Sequence, residues 1–278
     1  MAEGQPAGPP HSWTRVLPLA CLGGSWQMAI DAWLLEQGQP ALRLYRWPRP
    51  CLSVGRHQRR LPAHWLELAA RGAIELVRRP TGGAAVLHGG DLAYALVWPD
   101  PPPNRPQAYR QACRWLQVAF ESFGQPLRFG DQPATLAAAS CFATSTAADL
   151  VQGSGSKRIG SAQLWRAGCL LQHGSIQLAP DPGLWLQLFG SLPPEWPTLP
   201  GGEAQIEAAL MAAAARWLPL PPLRQQPCSA AELAAIAAGL AQTRVVPAVL
   251  ASPAAGASCT SPEASMERTT CGRAKPRG

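Results

Sequence analysis

The sequence predicts an α+β domain with a mixed, largely antiparallel sheet flanked by helices. Three observations lead there. Strand-like and helix-like stretches follow one another without the strict alternation of a doubly wound parallel sheet. The 30 prolines and 26 glycines cut the chain into short elements, which disfavours a helical bundle. A hydrophobic fraction of 47% against 15% charged is enough to fill a core across 278 residues.

Taken in order, residues 1–24 begin rich in proline and glycine and read as a loose N-terminal segment. Trp26 to Leu35 has helical spacing, with Ser25 as its expected N-cap. Strands are expected over Ala41–Trp47 and Cys51–Val54, then a short amphipathic helix over 61–71 starting near Pro62. Ala73–Arg79 alternates as a strand and runs into a glycine turn, and Asp91–Trp98 alternates again. A proline cluster at 99–106 leads into a helix from Gln107 to Phe123. Lys157–Leu164 and Gly168–Leu178 form a β-hairpin about a short turn near Arg166 and Ala167. Alanine-rich helices follow at about 203–217 and 229–241. The folded domain is thus expected over 25–245. From 251 to 278 the chain loses periodicity and reads as a disordered tail.

Composition excludes several classes. No run of about eighteen apolar residues spans a membrane. The stretch Val16–Cys21 is too short for a lipoprotein signal, and Pro18 interrupts it. The eight cysteines, at 21, 51, 113, 141, 169, 228, 259 and 271, include no CxxC pair. That spacing supports neither a metal site nor a disulfide framework, and a reduced, cytoplasmic setting is expected. The net charge of +7 is scattered, and its densest group, Arg56, Arg59 and Arg60, lacks the aromatic interleaving of a nucleic-acid site. Docking of an acidic protein partner is the better use of such charge. Lysine is scarce: 22 of the 24 basic side chains are arginine, leaving Lys157 and Lys275. An ammonium kept in such a background suits a place where chemistry needs one.

Three stretches can carry chemistry. Arg78-Arg79-Pro80-Thr81-Gly82-Gly83-Ala84-Ala85-Val86-Leu87-His88 ends a strand in a glycine turn whose amides a ligand can approach, with Arg79 beside them. It has neither Walker spacing nor the third glycine of a dinucleotide fingerprint. Lys157-Arg158-Ile159-Gly160-Ser161-Ala162-Gln163, with Leu170 to Ile176 opposite, starts a strand with the scarce lysine and continues in small residues over which a narrow ligand can lie. Ser140-Cys141-Phe142 stands in the loop before it. His88 and His173, each a lone strand histidine, read as structural.

Together, and in this order, these stretches resemble the lipoate–protein ligase and octanoyltransferase superfamily, whose members share the biotin/lipoate ligase-like catalytic domain. The likeness runs from about Trp26 to Phe189 and includes Leu44–Trp47 and Leu52–Gln58. The resemblance is closest to the cysteine-type octanoyltransferases, because Cys141-Phe142 stands where that branch has its nucleophile and Lys157 matches its essential lysine. It implies transfer of an octanoyl group from acyl carrier protein, through a cysteine thioester, to a lysine of a glycine-cleavage carrier or a dehydrogenase lipoyl domain. It implies Cys141 and Lys157 as catalytic residues. The acyl group would be held by Arg79, Thr81, Gly82, Gly83, Ala84, Ala85, Val86, Leu87, His88 and Gly160. No metal and no nucleotide are implied for such a transferase. An ATP-dependent lipoate ligase is the alternative within the superfamily. There ATP would meet Arg79 and Ala84–Leu87, and Lys157 the lipoyl adenylate. A catalytically silent acyl- or carrier-binding protein of the same fold is the third. The segment 144–155, rich in Ser, Thr, Ala and Gly, departs from the aromatic or apolar residues usual at that place.

Overall fold

The computed structural model describes residues 11–131, 142, 146 and 148–245. Strand β1 (Thr14–Cys21) is followed by helix α1 (Gly24–Gln37), which crosses back to lay β2 (Ala41–Arg46) parallel to β1. The chain then builds a small second sheet. Strand β3 (Cys51–Val54) sits between β4 (Glu75–Arg78), its parallel neighbour across helix α2 (Ala63–Ala70), and β5 (Val86–His88), its antiparallel one. Strand β6 (Asp91–Pro99) returns to the large sheet antiparallel to β2, and helix α3 (Arg105–Ser122) covers it, capped by the Asn104 side chain accepting from the Gln107 amide.

Two short strands, β7 (Arg128–Phe129) and β8 (Leu150–Val151), form the far edge. The hairpin of β9 (Lys157–Arg166) and β10 (Cys169–Gln177) turns through Ala167 and Gly168, both at positive φ, as a two-residue turn requires. Helices α4 (Pro182–Phe189) and α5 (Glu203–Trp217), strand β11 (Leu223–Gln225), and helices α6 (Ala230–Ala238) and α7 (Leu240–Thr243) complete the domain. The large sheet runs β11-β1-β2-β6-β10-β9-β8-β7, and the small one β4-β3-β5. Mixed and mostly antiparallel pairing is therefore borne out.

Two expectations are corrected. The loose segment over 1–24 does not hold for Thr14–Cys21, which is a strand of the large sheet. Ser25 does not cap α1: the helix starts at Gly24, and its amide donates to the Glu75 carboxylate at 2.5 Å. A carboxylate there satisfies an orphan N–H and sits favourably at the positive end of the helix. The tail over 251–278 lies outside the described residues. Among those described, no helix is long and apolar enough to cross a membrane.

The large sheet buries different chemistry on its two faces. Leu92, Tyr94, Leu96 and Trp98 of β6 face α3 and α5 in one apolar core with Trp115, Leu116 and Leu210. Ala93, Ala95 and Val97, pointing the other way, are small and pack under Met28, Ile30 and Leu34 of α1. A third cluster joins the small sheet to α2 and α4 through Leu52, Val54, Trp65 and Trp185. The room left between the α1 face and the small sheet is where the site lies.

Candidate functional site

An open pocket lies between the two sheets. Its floor is the hairpin. Gly160 and Ala162 of β9 pair with Ser175 and His173 of β10, so two small residues face two polar ones across the ladder. Tyr45 and Met28 stand at one end; Ser53, Val86 and His88 of the small sheet form the opposite wall, and Gly82 and Gly83 the rim.

The walls are held by two buried hydrogen-bond chains. In the first, His173 Nδ1 lies 2.8 Å from Asp31 Oδ2 and its Nε2 lies 2.6 Å from Thr81 Oγ1. Tyr45 donates its hydroxyl to the same Asp31 oxygen at 3.2 Å, and Arg43 stands 3.5 Å from the other. Burial with the Asp31 charge nearby pushes the Tyr45 phenol well up, so it stays a donor. In the second chain, His88 lies between Asp91, at 2.7 Å, and Ser53 Oγ, at 2.8 Å, and stacks on Trp47 with centroids 4.1 Å apart. Asp91 also accepts from Ser175 at 2.6 Å. Neither histidine is alone, and both line the pocket.

Arg79 is buried and turned inward. Its guanidinium donates to the carbonyls of Gly82 (2.8 Å), Ala84 (2.6 Å) and Ser53 (2.8 Å). It thereby moulds the glycine turn. Gly82, Gly83, Val86, His88 and Gly160 line the pocket with it, whereas Thr81 acts from behind through His173. Ala85, just before β5, and Leu87 on it pack into the small-sheet core, to which the pocket-lining Val86 also contributes. Ala84 contributes its carbonyl to Arg79.

Lys157 enters the large sheet at the start of β9, and its side chain is buried. Its ammonium meets Asp149 Oδ1 at 2.9 Å and lies 5.1 Å from the centre of the Phe142 ring. Asp149 is itself oriented by the Thr146 amide and hydroxyl, at 2.8 and 3.0 Å. Gly160 makes room for the lysine behind the pocket: a Cβ there would come within 2.9 Å of Lys157 Cε and 3.4 Å of the Phe142 ring. Cys141 lies outside the described residues. Of the described cysteines, Cys51 and Cys113 are deep in the fold, and burial pushes their thiols up, that of Cys113 to about 12. Neither lines the pocket.

Sequence reasoning did not pick out Asp31, Ser53, Asp91 or Asp149. Each is an ordinary acid or hydroxyl until folding brings its partner alongside. For Asp149, the scarcity of lysine eight residues on was the one available hint.

The lipoyl protein ligase A/B catalytic domain matches residues 24–192. An octanoyltransferase LipM from Kyrpidia tusciae is 37% identical over 189 residues, covering 62% of this chain and 68% of its own. Another from Carboxydothermus hydrogenoformans is 34% identical over 182 residues, covering 62% and 66%. The matched part is thus about two thirds of those relatives' length. A lipoate protein ligase from T. acidophilum with bound lipoic acid shares the fold, with a TM-score of 0.69 at 18% identity over 81% of this chain and 93% of its own. A lipoate-protein ligase A bound with ATP does so at 0.67 and 18%, over 84% and 95%.

Proposed function

The chain belongs to the lipoyl protein ligase A/B catalytic-domain family as an acyltransferase, and we propose that it moves an octanoyl group from acyl carrier protein to a lysine of a lipoyl carrier protein. One observation carries this most. The sole lysine between residues 11 and 245 is buried against Gly160, which lines the pocket, and beside the ring of Phe142, the residue that follows Cys141 in sequence.

In this reading the Cys141 sulfur attacks the carrier thioester carbonyl. A C–S bond forms, the carrier's C–S bond breaks, and the carrier thiolate leaves and takes up a proton. Exchange between thioesters is nearly isoenergetic, so the acyl group stays activated. The acceptor lysine, as the free amine, then attacks; the amide C–N bond forms, the enzyme C–S bond breaks, and the amine's surplus proton is lost. A free thiol titrates at about 8.5, and a neighbouring ammonium favours its thiolate. Lys157 supplies that charge, and Asp149 fixes where it points. The moulded Gly82–Gly83 turn offers backbone amides to the acyl carbonyl. The residues Gly160, Ala162, Val86 and Met28 give the alkyl chain a narrow apolar bed.

Intact mass tests this. With octanoyl carrier protein and no acceptor, the protein gains one octanoyl group that hydroxylamine removes. Cys141→Ala abolishes the adduct, while substitution of Cys51 or Cys113 spares it. Lys157→Arg loses most of the activity, because a planar guanidinium does not fit the place of a compact ammonium. If Cys141→Ala remains active with lipoate and ATP and wild type forms no thioester, the ligase reading replaces this one.

A further inference from the structure

We infer that the loop of residues 55–60 is the docking site for the protein that carries the acyl donor, recognised by a cluster of carboxylates on its surface. The inference rests on the transferase reading. Arg56, Arg59 and Arg60 are all exposed on this loop. Among the described residues none of the three forms an ion pair with a carboxylate, which is also true of the exposed Arg71, Arg105, Arg110, Arg216, Arg224 and Arg244; what sets the three apart is that they share one short loop. Three guanidinium groups crowded without counter-charges repel one another, and an acidic partner relieves that repulsion.

The loop is held in shape from inside. Arg78 donates to the carbonyls of Gly55 and Gln58, both at 2.8 Å, and the Gln58 side chain accepts from the Gly55 amide at 2.9 Å. A surface fixed before binding loses little freedom on docking. It is also fixed against the pocket: the Arg56 amide donates to the Thr81 carbonyl at 2.8 Å, and a Cβ on Gly55 would overlap the Gly83 carbonyl at 1.9 Å. The arginines therefore stand beside the Gly82–Gly83 rim through which an acyl chain would enter.

The test uses the full chain and two donors, octanoyl carrier protein and the uncharged thioester octanoyl-N-acetylcysteamine. In the triple variant Arg56→Gln, Arg59→Gln, Arg60→Gln, KM for the carrier rises about tenfold. Its salt dependence flattens, while kcat and the kinetics with the uncharged donor stay within about twofold. The corresponding triple lysine variant restores most of the affinity, since charge and not shape is being read. An unchanged carrier KM overturns the inference. So does an equal rise with both donors, which would make the loop a wall of the pocket. Wild type inert with both donors would sink the transferase reading instead. The docking is then read from titration of the carrier alone, where equal Kd for wild type and triple variant overturns it.

Discussion

The two faces of the central strands β6 and β10 solve different problems with the same backbone. Toward α3 they present Leu92, Tyr94, Leu96, Trp98, Leu170 and Ile176, with Gln172 as the one buried amide among them, donating to the Tyr94 hydroxyl and to Cys113 of α3. Toward α1 they present Ala93 and Ala95, then His173, Ser175 and Gln177, which are just as buried but polar. The first face gains stability mainly from area, about 25 cal/mol for each Å² removed from water. The second gives up much of that gain, because every buried polar atom there needs a partner. In exchange it holds a pocket wall at fixed geometry. A loss on the apolar face costs packing at that place; on the polar face, losing one member strands the others.

The largest effect should come from breaking the polar face at its centre. Asp31→Ala removes the carboxylate shared by His173, Arg43 and Tyr45. Stranding buried partners in this way costs roughly 3–5 kcal/mol. Denaturant unfolding should show that loss, and octanoyl transfer should fall with it even where the variant is fully folded. Leu96→Ala, on the opposite face, should cost about 3 kcal/mol by cavity formation, yet leave the donor KM within about twofold. If Leu96→Ala disturbed the KM as strongly as Asp31→Ala does, the division of labour between the faces would be gone.

This contrast also explains what the sequence discloses. The apolar face is periodic, so Asp91–Trp98 and the β9–β10 hairpin are legible residue by residue. The polar face is not periodic, because its meaning lies in partners far away in the chain. His173 finds Thr81 and Asp31 at separations of 92 and 142 residues, and a histidine read alone looks structural. The same holds at α1, where the cap is Glu75, 51 residues on, so Ser25 was a misleading local signal. Strand β1 is not legible in the sequence because Pro18 sits inside it. The pairing with β2 shifts register between Leu17 and Ala20, a bulge in which a missing N–H does little harm. The glycine turn is visible as a turn, but a string of letters does not tell that Ala85 and Leu87 lie in a core while Val86 and His88 line the pocket.

A gentler change sharpens the same point. Thr81→Val keeps the shape of the side chain and removes only the hydroxyl 2.6 Å from His173 Nε2. Leaving that nitrogen without its partner should cost about 1–2 kcal/mol and raise the donor KM severalfold, while Thr81→Ser stays close to wild type. Calorimetry and transfer kinetics on the pair decide it. Equal behaviour of the valine and serine variants would mean that the chain ending at Thr81 adds nothing to the pocket.

The smallest effect is expected at the rim of the α1 side, where water reaches a charge pair. Arg15 on β1 donates to both oxygens of Glu232 on α6, at 2.7 and 2.9 Å. That bond holds the Glu232 carboxyl at about 2, and the Ser229 amide assists. Because the folded pKa lies below that of the unfolded chain, about 4.3 for a free glutamate, the pair stabilises the fold above that value. The contribution fades as pH falls from there toward 2. Its size is limited by screening to under about 1 kcal/mol, as for other water-exposed pairs. Glu232→Gln isolates the charge, since glutamine can still accept from the Ser229 amide in the capping box that starts α6. The melting temperature of wild type should exceed that of the variant by a small constant amount from pH 7 to about 5, and the two curves should converge as pH drops toward 2. A gap that persists unchanged at pH 2.5 would show that the oxygen's shape, and not its charge, is what Arg15 holds.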